Sequence, residues 1–141
     1  MNLQNIPIKT ERGRLIRGGF VAKKGCVFVG FDYSQIELRV GALLSQDPDM
    51  LQTFINKEDI HTAVAKKVFN VDESGVTPDM RRKAKVINFG IMYGMGATAL
   101  SENLSVPRKE AQLFLEEYKK QFPVLNTYLE SIVEFAKTHK Y

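Results

Sequence analysis

The sequence predicts an α+β fold that is mainly α-helical, a run of helices attached to a small partial sheet. Three observations lead there. Cys26-Val27-Phe28-Val29-Gly30-Phe31 is a short, continuous, β-rich apolar run bounded by Gly25 and Asp32, which suits a strand covered on both faces. From Ser34 onwards, apolar residues recur at helical rather than alternating spacing. Strands come first and helices afterwards, an order typical of α+β proteins. Two strands are too few for a sheet with both faces buried, so partner strands are expected outside this chain.

Taken in order, Met1 to Thr10 is polar, contains Pro7 and reads as an extended lead-in. Leu15 to Val21, with two glycines and β-branched residues, is the first predicted strand, and Cys26 to Phe31 the second. A helix follows from Ser34, with Ile36, Val40, Leu43 and Leu44 at helical spacing. Asp47-Pro48-Asp49 ends it and opens another, whose apolar residues are Met50, Leu51, Phe54 and Ile55. A third helix is expected over Ile60 to Phe69, then a loop over Asn70 to Thr77. Pro78 opens a long helix to about Tyr93, ended by Gly94 and Gly96. Two amphipathic helices complete the chain. One begins near Pro107 and places Ala111, Phe114, Leu115 and Tyr118 on one face; the other begins after Pro123 with Leu125, Tyr128, Leu129, Ile132, Val133 and Ala136.

The totals fit one modest domain. The chain has 141 residues, 44% of them apolar and 26% charged, an ordinary globular balance. No apolar run is long enough to span a membrane, and Met1-Asn2-Leu3-Gln4-Asn5 lacks the pattern of a secretion signal. The single cysteine, Cys26, excludes an internal disulfide and a zinc ligand cluster. A cytoplasmic setting is therefore expected. The net charge of +4, from 20 basic and 16 acidic residues, is weak evidence for a nucleic-acid partner.

Two features carry chemistry. Asp32 sits at the end of the second predicted strand, where a carboxylate on a rigid element can hold a divalent cation. Asp32 or Ser34 could equally cap the following helix. The second feature is Arg81 to Gly94. With Arg81 set at zero and about 100° per residue, Lys85 falls near ~40°, Phe89 near ~80° and Tyr93 near ~120°. Met80, Ala84, Ile87 and Ile91 fall at roughly 240° to 300°, on a separate apolar face. One stripe thus runs from two cations to two rings. Arg and Lys neutralise phosphate oxygens, Phe89 offers a flat face to a base or sugar, and Tyr93 adds a hydroxyl beside a glycine. A basic surface turn followed by core aromatics would give the same pattern.

Asp32-Tyr33-Ser34-Gln35-Ile36-Glu37-Leu38-Arg39 resembles the first palm motif of family A (DNA polymerase I-like) DNA polymerases at every position. The spacing Arg81, Lys85, Phe89, Tyr93-Gly94 is similar to the long fingers helix of the same family. Leu3-Gln4-Asn5-Ile6-Pro7, Asp59-Ile60-His61 and Arg108-Lys109-Glu110-Ala111 extend the likeness over essentially the whole chain. The resemblance implies a DNA-directed DNA polymerase that adds deoxynucleotides to a primer 3′-OH. It implies two Mg2+ ions bridged by Asp32, with the Tyr33 carbonyl assisting. It places Gln35 and Glu37 at the nucleotide, Glu37 rejecting a ribose 2′-OH, and has Arg81, Lys85 and His61 contact phosphates. Lys85 would donate a proton to the departing pyrophosphate. Phe89 would stack on the nucleotide, and Tyr93 would guard the nascent pair and hydrogen-bond Glu37. Asn2, Gln4, Asn5, Tyr93 and Gly94 would contact template-primer DNA. Phe89, lacking a hydroxyl, implies poor incorporation of dideoxynucleotides.

The implied organisation is a partial palm over residues 1–45 and fingers over 46–141, with the nucleotide-binding helix at 78–93. The family's second catalytic carboxylate, from a His-Asp-Glu motif, has no counterpart here, since Val71-Asp72-Glu73-Ser74 lacks the histidine and the apolar flanks. The thumb and the rest of the palm are expected as partners, and the chain alone is expected not to extend a primer. A single-subunit RNA polymerase and a non-catalytic basic helical module are the rival readings. Glu37 argues against the first; the second leaves Asp32 and Glu37 unexplained. The P-loop pattern does not occur.

Overall fold

The computed structural model describes residues 10–140. By packing, the chain divides into two units, Met1–Tyr33 and Ser34–Tyr141.

In the first unit, α1 spans Glu11–Gly18. Thr10 caps it, its hydroxyl accepting from the Gly13 amide at 3.1 Å. Glu11 in the first turn and Arg17 in the last both suit the helix dipole. These local signals override the β-branched Ile16 and the Gly18-Gly19 pair on which a strand over Leu15 to Val21 was expected. Beyond α1 the backbone turns at Lys23 to Cys26, with Gly25 at φ 82°, and runs without regular structure to Tyr33.

The α+β expectation is therefore corrected: among the described residues there is no strand, and the fold is all-α. Cys26 to Phe31 has the composition of a strand, but a strand exists only through a hydrogen-bonded ladder. No partner backbone lies beside it among the described residues, and Phe31 stands 94% exposed.

The second unit is a helical assembly. Its elements are α2 (Ile36–Ser45), α3 (Pro48–Ile55), α4 (Ile60–Val68), α5 (Pro78–Met92), α6 (Ala97–Leu104), α7 (Arg108–Gln121) and α8 (Pro123–His139). A short 3-10 turn, Glu73–Gly75, lies between α4 and α5. Helix α4 packs on α5 and α7, α6 on α7, and α2 on α3, α5 and α8. Leu38, Met50, Ile60, Val64, Ala84, Ile87, Leu100, Tyr118 and Leu125 form the centre of a single core.

The starts of α3, α4 and α5 are capped by Asp47, Asp59 and Thr77. The end of α5 is a Schellman turn. Tyr93 is the C-cap, the Gly94 amide donates to the Ile91 carbonyl at 3.0 Å, and Met95 donates to Gly90 at 2.7 Å. This turn requires the left-handed φ of 71° that Gly94 adopts.

Two further findings differ from expectation. Helix α6 was not foreseen, having only Leu100 and Leu104 to bury and no side-chain cap. On α2, the core takes Leu38, Gly41, Ala42 and Ser45. Ile36, Val40, Leu43 and Leu44, whose spacing predicted the helix, are exposed. No described helix is long and apolar enough to cross a membrane.

Candidate nucleotide-binding site

Helix α5 carries the stripe as the helical arithmetic requires. Ala84 and Ile87 are fully buried, with Met80 and Ile91 packed around them. Arg81, Lys85 and Tyr93 are exposed and Phe89 is half-buried. The rings of Phe89 and Tyr93 are nearly parallel, at 15° with centroids 6.4 Å apart. The Lys85 ammonium lies 6.0 Å from the Phe89 ring centroid, at the outer limit of a cation–π contact.

The cations of α5 differ in their commitments. Asp79 holds Arg82 at 2.7 Å and Lys83 at 3.2 Å. Arg81 is bound by Asp59 through two parallel bonds, Nη2 to Oδ2 at 2.7 Å and Nε to Oδ1 at 3.2 Å. Lys85 has no carboxylate partner among the described residues.

Asp59 was named in the sequence only as part of a string, and it is the hub of the site. Its Oδ1 caps α4, accepting from the Thr62 amide at 2.8 Å and the Thr62 hydroxyl at 3.1 Å. Gln35 reaches its Oδ2 at 3.5 Å. Partial burial pushes the Asp59 carboxyl up, but the hydrogen bonds from Arg81 and Thr62 outweigh it and hold the pKa at about 2.

At the second position of α4, His61 is buried, and its ring packs 6.0 Å from that of Phe89. Burial pushes its pKa down to about 4, helped by the charges of Arg81 and Lys85 and opposed by Asp59. At neutral pH it is an uncharged imidazole. The Asn88 carboxamide nitrogen lies 2.9 Å from its Nδ1. With Asn88 as donor, Nδ1 accepts and the ring proton sits on Nε2. Asn88, wholly buried on the inner face of α5, is a second residue that sequence reasoning missed. Both omissions have one cause: the contacts of Asp59 and Asn88 bridge 22 and 27 residues and depend on how α4 packs on α5.

Glu37 and Tyr93 line one open apolar groove of about 400 Å³ together with Ile36, Val40, Met92 and Ile132. No hydrogen bond joins them. Gly94 borders a second groove, of about 650 Å³, beside Gln112, Asn126 and Glu130. Asp32 and Tyr33 belong to the first unit and are exposed. Helix α2 begins at Ile36, and its N-cap, Gln35, is in left-handed conformation at φ 55° and makes no side-chain capping bond. Asn2, Gln4 and Asn5 lie outside the described residues.

Fold and face together define a class, an all-α unit that presents a paired arginine, a lysine without a carboxylate partner among the described residues and two nearly parallel rings on one face. Comparison with known proteins narrows the class. The sequence pattern of DNA polymerase family A matches residues 1–141, and the chain belongs to that family. DNA polymerase I of Bacillus caldotenax is 48% identical over 141 residues, 99% of this chain and 16% of the relative. The thermostable DNA polymerase I of Thermus aquaticus is 46% identical over 140 residues, 99% of the chain and 17% of the relative. That of Deinococcus radiodurans is also 46% identical, with 15% of its length covered. Among solved structures, the POL domain of Pol1 from M. smegmatis, in complex with DNA primer-template and dNTP, superposes with a TM-score of 0.80 at 40% identity. The match covers 98% of this chain and 24% of that one. The chain thus spans about a sixth of the length of these curated relatives.

Proposed function

We propose that this chain is the nucleotide-gripping part of a DNA-directed DNA polymerase, with residues 46–141 as fingers and residues 1–45 as part of the palm. The observation that carries the reading is the face of α5, where Lys85 has no acidic partner among the described residues and leads directly to the Phe89–Tyr93 ring pair. A triphosphate laid along this face would meet charge at one end and flat apolar surface at the other, as a deoxynucleoside triphosphate requires. In the reaction, the primer 3′-oxygen forms a bond to the α-phosphorus and the bond to pyrophosphate breaks. Lys85 is placed in this reading as the donor that neutralises the departing pyrophosphate. Arg81 and the Nε2–H of His61 assist at the phosphates, and Gln35 lies beside them.

Phe89 supports the base or sugar, and Tyr93 with Gly94 faces the templating pair. Glu37, in the groove that Tyr93 also lines, is the proposed filter against ribonucleotides. Template-primer DNA and the remainder of a polymerase chain are the proposed partners.

Two Mg2+ ions are the proposed cofactor. Among the described residues, no three His, Cys, Asp or Glu side chains group as a metal centre would need. Asp32, with the Tyr33 carbonyl, offers one carboxylate, and a pair of dications close together requires more. The described residues therefore do not fit a complete two-metal centre, and Asp32 is proposed as only one part of it.

Calorimetric titration of the chain with a dNTP, with and without Mg2+, tests the reading. Mg2+-dependent binding that Lys85→Ala abolishes is the expected result. Binding of duplex DNA alone, unchanged by Lys85→Ala and with no nucleotide affinity, would instead identify a basic DNA-binding module.

A further inference from the structure

The bidentate pair between Arg81 and Asp59 has the geometry with which a guanidinium grips a phosphate: two parallel N–H···O bonds to two oxygens of one group. In this structure the fork that is proposed to receive a triphosphate is already filled by a carboxylate. We propose that Asp59 is a stand-in for the phosphate, a counter-ion that Arg81 gives up when nucleotide binds, so that Asp59 sets how tightly the site takes its substrate. The inference rests on the nucleotide reading above and deepens it.

Three observations support an exchange rather than a permanent strut. First, the pair is not sealed in the core: the Arg81 side chain is 46% exposed and that of Asp59 34%. An incoming anion can reach the guanidinium, and solvent screens the pair. Second, Asp59 is not stranded when Arg81 leaves. The Thr62 amide and hydroxyl still donate to Oδ1, and Gln35 still reaches Oδ2. A carboxylate with three remaining donors tolerates the loss of one partner far better than a bare buried charge. Third, Asp59 caps α4, the helix that carries His61 against Phe89. The same residue thus holds the floor of the site and contests its arginine. Its carboxyl pKa of about 2 keeps it charged at every working pH, so the competition is always present.

The test is a double-mutant cycle on the dNTP dissociation constant in the presence of Mg2+. Asp59→Asn removes the charge and keeps a side chain that caps helices as well as aspartate does. It should tighten dNTP binding about fivefold, which corresponds to ~1 kcal/mol. In an Arg81→Ala background the same change should have no effect, because there is no fork left to release. Unchanged or weaker binding in Asp59→Asn would overturn the proposal, as would tightening that persists without Arg81. Should Asp59→Asn fail to fold, Asp59→Ser, also a good cap, carries the same expectations. If the unsubstituted chain binds no nucleotide at all, the underlying nucleotide reading fails, and this inference with it.

Discussion

Asp59 and His61 stand two residues apart at the start of α4 and lose their contributions to stability in two different acid windows. His61 has its ordinary pKa of 6.5 lowered to about 4 by burial. Between those values the unfolded chain binds the proton and the folded one does not, so stability falls as pH drops from about 6.5 to about 4. The effect is on the order of 3 kcal/mol at ~1.4 kcal/mol per pH unit. Asp59 is also depressed, from 3.8 to about 2. Its stabilisation is present above the upper value and disappears as pH falls toward the lower. Thermal melts from pH 7 to pH 2 should therefore show two limbs. His61→Phe should flatten the upper limb, while Asp59→Asn should flatten the lower limb and, by removing the charge that holds the His61 pKa up, extend the upper limb to lower pH. A single limb untouched by either change would contradict both assignments. At this scale the sequence was partly legible. The positions of Arg81, Lys85, Phe89 and Tyr93 on one face follow from helical spacing alone, but Asp59 and Asn88 matter through partners on another helix, which periodicity does not reveal.

Among the elements, the helices with strong start signals were legible in the sequence. Asp47-Pro48, Thr77-Pro78 and Pro123 all stand where helices begin. Helix α6 escaped because its two core residues make too short a stripe. Helix α1 was misread because its capping threonine lies outside the window that looked β-rich. The role of Asp47 was also hidden. Its Oδ1 accepts from the Met50 amide at 3.1 Å, capping α3, and its Oδ2 accepts from the Leu125 amide at 3.0 Å. Leu125 lies in the first turn of α8, a helix whose own N-cap, Phe122, has no side chain to offer. One fully buried carboxylate therefore serves two helix N-termini. Asp47→Ala removes both caps and leaves buried amides unpaired, a loss of about 3 kcal/mol. Urea titration should show a lowered midpoint for that variant, with Asp47→Asn intermediate. An Asp47→Ala midpoint equal to that of the unsubstituted chain would show that the bonds carry no net stability.

For the molecule as a whole, the two units differ in what can hold them. Ser34–Tyr141 contains the core, whereas the described part of Met1–Tyr33 offers one eight-residue helix, too short to be stable by itself in water. Leu15, Phe28 and Phe31 are all largely exposed there. Brief proteolysis followed by mass spectrometry should cut within residues 19–33 and leave the second unit as the resistant product. Cleavage first within α4 or α5 would contradict this division. The α+β expectation failed at this same scale, since an apolar run becomes a strand only beside another backbone, and composition does not report neighbours. The bond from Asp47 to Leu125 also has a consequence in time. It joins residues 78 apart, and the entropy lost in closing a loop grows with its length. Pairs such as α4 with α5 and α6 with α7 close much shorter loops and can form early. The docking of α8 onto Asp47 is then a late event on the folding path. Until it occurs, the start of α3 carries a charge whose second partner has not yet arrived.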